Sequence, residues 1–251
     1  MKFNADYLPE GKLSKSPLVE AIIEIRFEPN VPPDAMFGIF YKPMSQRYPK
    51  VEQLPVLQAP PAARERDPNL RFKPYYKFTN DNFCFQLGAR TLILAQGTNY
   101  QSWENFLNEF KNIFSLAQEL GIIKSVHRVG LRYINFFEGL DIFSKSKLFV
   151  VYENAKVGEG QGLTRLEFKE GDFKKVINLS NNSVQSKPNP GNDLDKPTHD
   201  IRPGSVIDID VFIESMQNIN TDMTGKLDSA HSIAHQTFFG VLNEDFTRTL
   251  V

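Results

Sequence analysis

Charged side chains alternate with apolar ones in three segments of this sequence. The charged residues are of types that take part in binding and catalysis. Carboxylates and guanidinium groups on one sheet face can pair with each other, bind anions or transfer protons. The segments are 18–29, 126–137 and 205–213. We expect their polar side chains to form one sheet face, which is either a solvated face with surface ion pairs or a surface for a ligand or partner. This face consists of Glu20, Glu24, Arg26, Arg128, Arg132, Asp208 and Asp210.

A period of two residues predicts that these three segments are β-strands with one buried and one polar side. In 18–29 the apolar side is formed by Val19, Ala21, Ile23, Ile25 and Phe27. In 126–137 the polar side carries two arginines with a glycine between them. The first two segments therefore have the same design, although they lie far apart in the chain.

These two strands are predicted to pair antiparallel, with Ile22 opposite Gly130. A one-residue slip would move charged side chains into the core, so the hydrophobic pattern should specify this register strongly. Opposite charges that face each other across an antiparallel pair contribute roughly 0.2–1 kcal/mol each. The charge pairs that this register predicts are Glu20 with Arg132 and Glu24 with Arg128.

The predicted helices and strands that must position these residues occur in a similar order in the two halves of the chain. Each half begins with a strand, continues through a helical segment and several strand candidates, and ends with a long amphipathic helix, which in the first half follows the cap residue Ser102. We infer an α+β fold with duplicated β-α-β(3–4)-α units, at 18–121 and 126–251, in a single domain of residues 1–251. One antiparallel sheet would carry two long helices on one face, which resembles the TATA-box-binding-protein-like and helix-grip folds.

Residues 181–204 are rich in proline and polar residues and are predicted to form a flexible loop.

The overall composition argues against several classes of function. The formal net charge is −1, which argues against a global attraction to nucleic acid, and no apolar segment approaches the ~20 residues of a membrane-spanning helix. The single cysteine, Cys84, favours a cytoplasmic location and a structural thiol. His231 and His235 have metal-ligand spacing but lack a third ligand, so we expect no metal site and no cofactor.

Four stretches resemble a sporadically distributed family of uncharacterised prokaryotic proteins of about 250 residues. They are SPLVEAIIEIRF at 16–27, YQSWENF at 100–106, RVGLRYIN at 128–135 and LDSAHSIAHQTFF at 227–239. The resemblance covers nearly the whole chain, and RVGLRYIN is its most distinctive part. It implies a single full-length domain and is compatible with an accessory role in antiphage-defence or toxin–antitoxin systems. It implies no catalytic residues.

The sequence favours a non-enzymatic binding or adaptor protein that uses the polar sheet face to hold a small ligand or a protein partner. One alternative is a hydrolase or transferase in which the carboxylates act as acid and base and the arginines hold an anion. Another is a nucleic-acid-binding module, which the acidic residues on the face argue against. The sequence is compatible with a homodimer and assigns no membrane partner.

The predicted register leads to a charge-swap experiment. Arg132→Glu should reduce the free energy of unfolding, because it would face Glu20 with a like charge. Adding Glu20→Arg should restore part of that loss, and chemical denaturation of the two variants measures both changes. If the second substitution gives no rescue, the two residues do not face each other.

Overall fold

The computed structural model of the chain describes all residues except 1–4, 6, 10, 12, 149, 153–154, 158–161, 189–198 and 215–221. The described part contains five α-helices, which are α1 (Ala35–Met44), α2 (Pro61–Arg66), α3 (Trp103–Glu119), α4 (Met223–Val241) and α5 (Glu244–Arg248). Two 3₁₀ turns occupy Pro55–Gln58 and Ile142–Lys145. The strands are β1 (Leu18–Pro29), β2 (Lys50–Gln53), β3 (Tyr76–Thr79), β4 (Cys84–Leu87), β5 (Thr91–Gln96), β6 (Ile123–Glu138), β7 (Val150–Tyr152), β8 (Ala155–Val157), β9 (Leu163–Glu170), β10 (Phe173–Pro188) and β11 (His199–Glu214).

Nine of these strands form one large sheet in the order β2-β3-β4-β5-β1-β6-β11-β10-β9, while β7 and β8 pair with each other. The prediction of an α+β protein with a large antiparallel sheet is confirmed. Two compact units can be distinguished in the chain. The first unit comprises Met1–Val19, Tyr133–Asp210 and Ser232–Val251, and the second comprises Glu20–Arg132 and Val211–His231.

In the second unit, the strand pairing separates a buried side of the sheet from a partly exposed side. One cross-strand row is apolar and runs from β2 to β1 through Val51, Phe78, Phe85, Leu94 and Ile23. The last four of these side chains are 0–1% exposed. The adjacent row points to the other side and consists of Glu52, Lys77, Gln86, Ile93 and Glu24, all of them partly or largely exposed.

Helices α1 and α3 pack on the apolar side of the second unit. Phe40 of α1 contacts Phe85 at a ring-centre distance of 5.6 Å, and Phe83 stacks on Phe106 of α3 at 6.5 Å. Helix α3 begins after Ser102, whose Oγ accepts a hydrogen bond from the backbone N–H of Asn105. It ends before Gly121, which has a φ of +64°. The predicted cap residue Ser102 is therefore confirmed, and the left-handed conformation of Gly121 is typical of the residue that follows a helix.

The first unit has its own core. Phe137 of β6 contacts Phe238 of α4 and Phe246 of α5 at ring-centre distances of 6.4 and 5.8 Å. Strands β9 and β10 form a hairpin in which Lys175 lies opposite Phe168 on the apolar side. The Lys175 ammonium is 1% exposed and contacts the Glu170 carboxylate at 2.9 Å, because a buried charge requires a partner.

Two segments differ from the sequence prediction. Strand β10 continues to Pro188 and β11 begins at His199, so both ends of the predicted 181–204 loop are strand, and residues 189–198 lie outside the described residues. The polar sequence of 181–187 has no apolar alternation, which is why the pattern did not indicate a strand. The second segment, 55–69, is rich in proline, alanine and charge, which is typical of a loop, but it contains α2, whose first residue, Pro61, suits the first turn of a helix.

None of the described helices has both the length and the apolar character that are needed to cross a membrane.

A buried hydrogen-bond network in the second unit gives a stability prediction. The hydroxyl of Tyr48 donates to Oε1 of Glu109 at 2.7 Å, and Arg47 contacts the other carboxylate oxygen at 2.6 Å. Burial, followed by the hydrogen bond to Glu109, raises the pKa of Tyr48, so the phenol remains a donor. Tyr48→Phe should lower the free energy of unfolding by about 1–3 kcal/mol, because a buried carboxylate oxygen loses its donor.

Urea denaturation measures this loss, and Tyr41→Phe is the matched control because Tyr41 is 46% exposed. We expect the control to change the stability by less than about 0.5 kcal/mol. Equal effects of the two substitutions would contradict a special role for the Tyr48–Glu109 hydrogen bond.

Candidate functional site on the polar side of β1 and β6

Glu24 connects two of the predicted site arginines. Its Oε2 accepts a hydrogen bond from Nε of Arg26 at 3.1 Å and forms an ion pair with Nη1 of Arg128. Glu24 and Arg26 lie on the same side of β1 because they are two residues apart in a strand. The ion pair between Glu24 and Arg128 is the contact that the predicted register requires.

The guanidinium of Arg128 is enclosed by protein groups. Its central carbon lies 4.2 Å from the centre of the Phe212 ring, and its side chain is only 10% exposed. Gly130 lies under this group: a Cβ at residue 130 would come within 2.7 Å of Nη1 of Arg128. A glycine at this position therefore leaves the space that the guanidinium occupies.

Glu20 and Arg132 form the second predicted charge pair. Burial raises the pKa of Glu20, while the positive charge of Arg132 opposes that rise. Because desolvation is the larger cause, protonated Glu20 is favoured more than in a solvated carboxyl. A raised pKa of this kind is found in carboxyl groups that transfer protons.

Phe72 adds an aromatic ring to the same region. It lies in the turn segment between α2 and β3, and its ring centre is 4.9 Å from the guanidinium carbon of Arg26 and 5.6 Å from that of Arg71. Contacts of this geometry are cation–π interactions. Nearby, Arg90 forms an ion pair with Glu28 and approaches Glu65 at 3.7 Å.

The other two predicted site residues lie in the first unit. Asp208 is 6% exposed and accepts a hydrogen bond from Nδ2 of Asn178 at 2.9 Å. Asp210 lies on the same side of β11 and is partly exposed. The structure thus joins Glu24, Arg26 and Arg128 directly, relates Glu20 to Arg132 electrostatically, and places the two aspartates in the other unit.

Several contributing residues were not found from the sequence. Phe212 continues the alternation of Asp208 and Asp210, so the strand period alone could have assigned it to the polar side. Arg71 and Phe72 belong to the segment 70–78, whose sequence predicts a strand, but both residues lie in turns, so no periodic signal marked them. Asn178 lies on β10, and no local pattern marked it because its partner Asp208 is distant in sequence.

The remaining sequence candidates have structural contacts. Burial is the largest cause that raises the pKa of the Cys84 thiol, which disfavours the reactive thiolate. His231 stacks on Trp103 at a ring-centre distance of 4.5 Å, and Trp103 donates to Asp228 at 2.7 Å. His235 contacts the ring of Phe239 edge-on. Within the described ranges, no three His, Cys, Asp or Glu side chains are grouped so that they could hold a metal ion.

The first unit also contains an open hollow of about 520 Å³ beside α5. Its lining includes Lys145, Lys147, Asn243 and Phe246. None of the predicted site residues lines it.

In comparisons with known proteins, no protein-family model matches this chain, and no match to a curated protein is found.

The close approach of Arg128 to Gly130 leads to a prediction that tests the position of the guanidinium group. Gly130→Ala should reduce the free energy of unfolding by about 1–3 kcal/mol, because the added methyl displaces a guanidinium that Glu24 and Phe212 hold in place. The three atoms nearest to the added Cβ all belong to Arg128. The cost should therefore nearly vanish when Gly130→Ala is combined with Arg128→Ala.

Urea denaturation of the four members of this cycle measures the coupling, which should exceed about 0.5 kcal/mol. Gly38→Ala is the control, because nothing lies within 4 Å of its added Cβ. Additive effects of the Gly130 and Arg128 substitutions would show that the guanidinium does not occupy the space over Gly130.

Proposed function

We propose that this protein is a binding or adaptor module that holds a ligand or protein partner on the polar side of β1 and β6. The observation that carries the proposal is the fixed arrangement of Glu24, Arg26 and Arg128 on a partly exposed sheet side. Its opposite side is packed into the core, so β1 cannot shift without exposing apolar residues. A surface whose charged groups are already in position loses less entropy when a partner binds.

In the second unit, the predicted site residues are three arginines and two glutamates, and this excess of positive charge supports recognition of a negatively charged group. Two guanidinium groups share the Glu24 carboxylate, and Arg132 carries a further positive charge on the same side of β6. Guanidinium groups suit this role because they stay charged and donate hydrogen bonds in a planar fork. An anionic ligand or an acidic partner segment therefore fits the region better than a cation.

A duplicated β-α-β(3–4)-α architecture of the TATA-box-binding-protein-like kind belongs to the same proposal. In the sheet, β1 is next to β5, the last strand before α3, and β6 is next to β11, the last strand before α4. This repetition of strand order supports an internal duplication. The resemblance of the four sequence stretches to the sporadic prokaryotic family supports an accessory role in antiphage-defence or toxin–antitoxin systems.

An enzymatic alternative is favoured by one observation. Burial raises the pKa of Glu20, which is a property of carboxyl groups that transfer protons in hydrolases and transferases. Titration of the Glu20 carboxyl by NMR tests this alternative: a midpoint near neutral pH supports it, whereas a midpoint in the usual range of glutamate removes its basis.

Native mass spectrometry of the protein purified gently from its host tests the binding proposal. We expect the wild-type protein to retain either a small molecule or a stoichiometric protein partner. Arg132→Glu should lose that species, because it reverses an exposed charge on the proposed binding side. Arg165→Glu is the control, since Arg165 is also an exposed strand arginine but lies on β9 in the first unit.

Retention of the same species by the Arg132→Glu variant would contradict the proposed surface. A bare wild-type chain would count against the binding proposal and leave the Glu20-based alternative in its place.

A further inference from the structure

The guanidinium group of Arg26 is held in position by two contacts, but not all of its nitrogens donate hydrogen bonds to described residues. Its Nε donates to Glu24 at 3.1 Å, and its planar group lies over Phe72, with 4.9 Å between the guanidinium carbon and the ring centre. Among the residues that the structure describes, its two terminal nitrogens have no hydrogen-bond acceptor. The side chain is 35% exposed, so these donors are accessible.

Arg71 is a second cation at the same aromatic ring. Its guanidinium carbon lies 5.6 Å from the centre of Phe72, and its side chain is exposed. In the described part of the chain, Arg71 forms no ion pair with a carboxylate. Two guanidinium groups therefore approach one ring, and the terminal donors of both have no protein acceptor there.

The charges around Phe72 do not balance. Arg26 and Arg71 bring two positive charges to the Phe72 ring, and Glu24 is the carboxylate that contacts Arg26. The carboxylates Glu28 and Glu65 contact Arg90 instead. An added anion stabilises an excess of positive charge beside one aromatic ring.

We propose that Arg26 and Arg71 form an oxyanion-binding site on the Phe72 ring, which takes a phosphate or carboxylate group through the terminal guanidinium nitrogens. The stacking on Phe72 and the bond to Glu24 orient the Arg26 fork before the anion arrives, so bidentate binding requires little reordering. This inference rests on the proposed function and names the chemical class of ligand that the same surface recognises.

NMR of the arginine Nε–Hε groups in the full-length protein tests the proposal. Inorganic phosphate and, separately, acetate are titrated at an ionic strength held constant with chloride. We expect at least one of them to shift the Arg26 and Arg71 signals in a saturable way. Saturation by phosphate indicates a phosphoryl ligand, and saturation by acetate alone indicates a carboxylate ligand, because the two probes differ in charge and geometry.

Three variants sharpen the test. Arg71→Gln and Phe72→Leu should each raise the dissociation constant at least about fivefold, because one removes a charged donor and the other removes the stacking surface. Arg66→Gln is the matched control, because Arg66 is an exposed arginine in the same segment and lies outside the Phe72 contacts. It should change the dissociation constant by less than about twofold, as expected for screened surface charge.

Failure of both anions to saturate the Arg26 and Arg71 signals would overturn this site, as would equal weakening by Arg66→Gln and Arg71→Gln. The proposed function has a separate readout, since it depends on a species that the wild-type protein retains and the Arg132→Glu variant loses. A retained species without anion saturation would reject the Phe72 site alone. Anion saturation without any retained species would reject the adaptor proposal and keep the site.

Discussion

The arrangement of charged groups on the polar side of β1 depends on the contacts of the Glu24 carboxylate. It holds Arg26 through one strand-neighbour contact and Arg128 through an ion pair with β6. Removing one partner from a buried ion pair costs about 3–5 kcal/mol, because the remaining charge stays desolvated. Loss of Glu24 would remove a carboxylate that contacts both cations. Glu24 therefore helps to position both guanidinium groups, together with Phe72 at Arg26 and Phe212 at Arg128.

That arrangement depends in turn on the apolar side of the same strand. Ile23 and Ile25 are completely buried, and α1 and α3 cover the aromatic residues that share their side of the second unit. Because strand side chains alternate, burial of the odd-numbered residues of β1 forces the even-numbered charges to the other side. The hydrophobic core therefore orients the polar site, although none of its residues contacts the charges directly.

The sequence was sufficient wherever a periodic pattern extended over many residues. It predicted β1, β6 and α3, the cap residues of α3, and the contact between Glu24 and Arg128. It was insufficient where position depends on non-periodic chain segments. Phe72 reaches Arg26 from a turn, and the strand ends at 181–188 and 199–204 carry polar residues that have no apolar side. Such positions are determined by tertiary contacts, which a local pattern does not contain.

The contacts of the charged groups on this face bear on the choice between the proposed binding function and the enzymatic alternative. Oε2 of Glu24 accepts hydrogen bonds from two arginines, so this oxygen holds cations rather than receiving a substrate proton. Arg128 is enclosed by Glu24, Gly130 and Phe212. The accessible polar atoms near Phe72 are then guanidinium donors, which bind oxyanions but do not themselves exchange protons near neutral pH. In the proposed binding function, such a face would select an anionic ligand by charge and geometry, whereas a reaction would require a proton-transfer group such as Glu20 to reach the same anion.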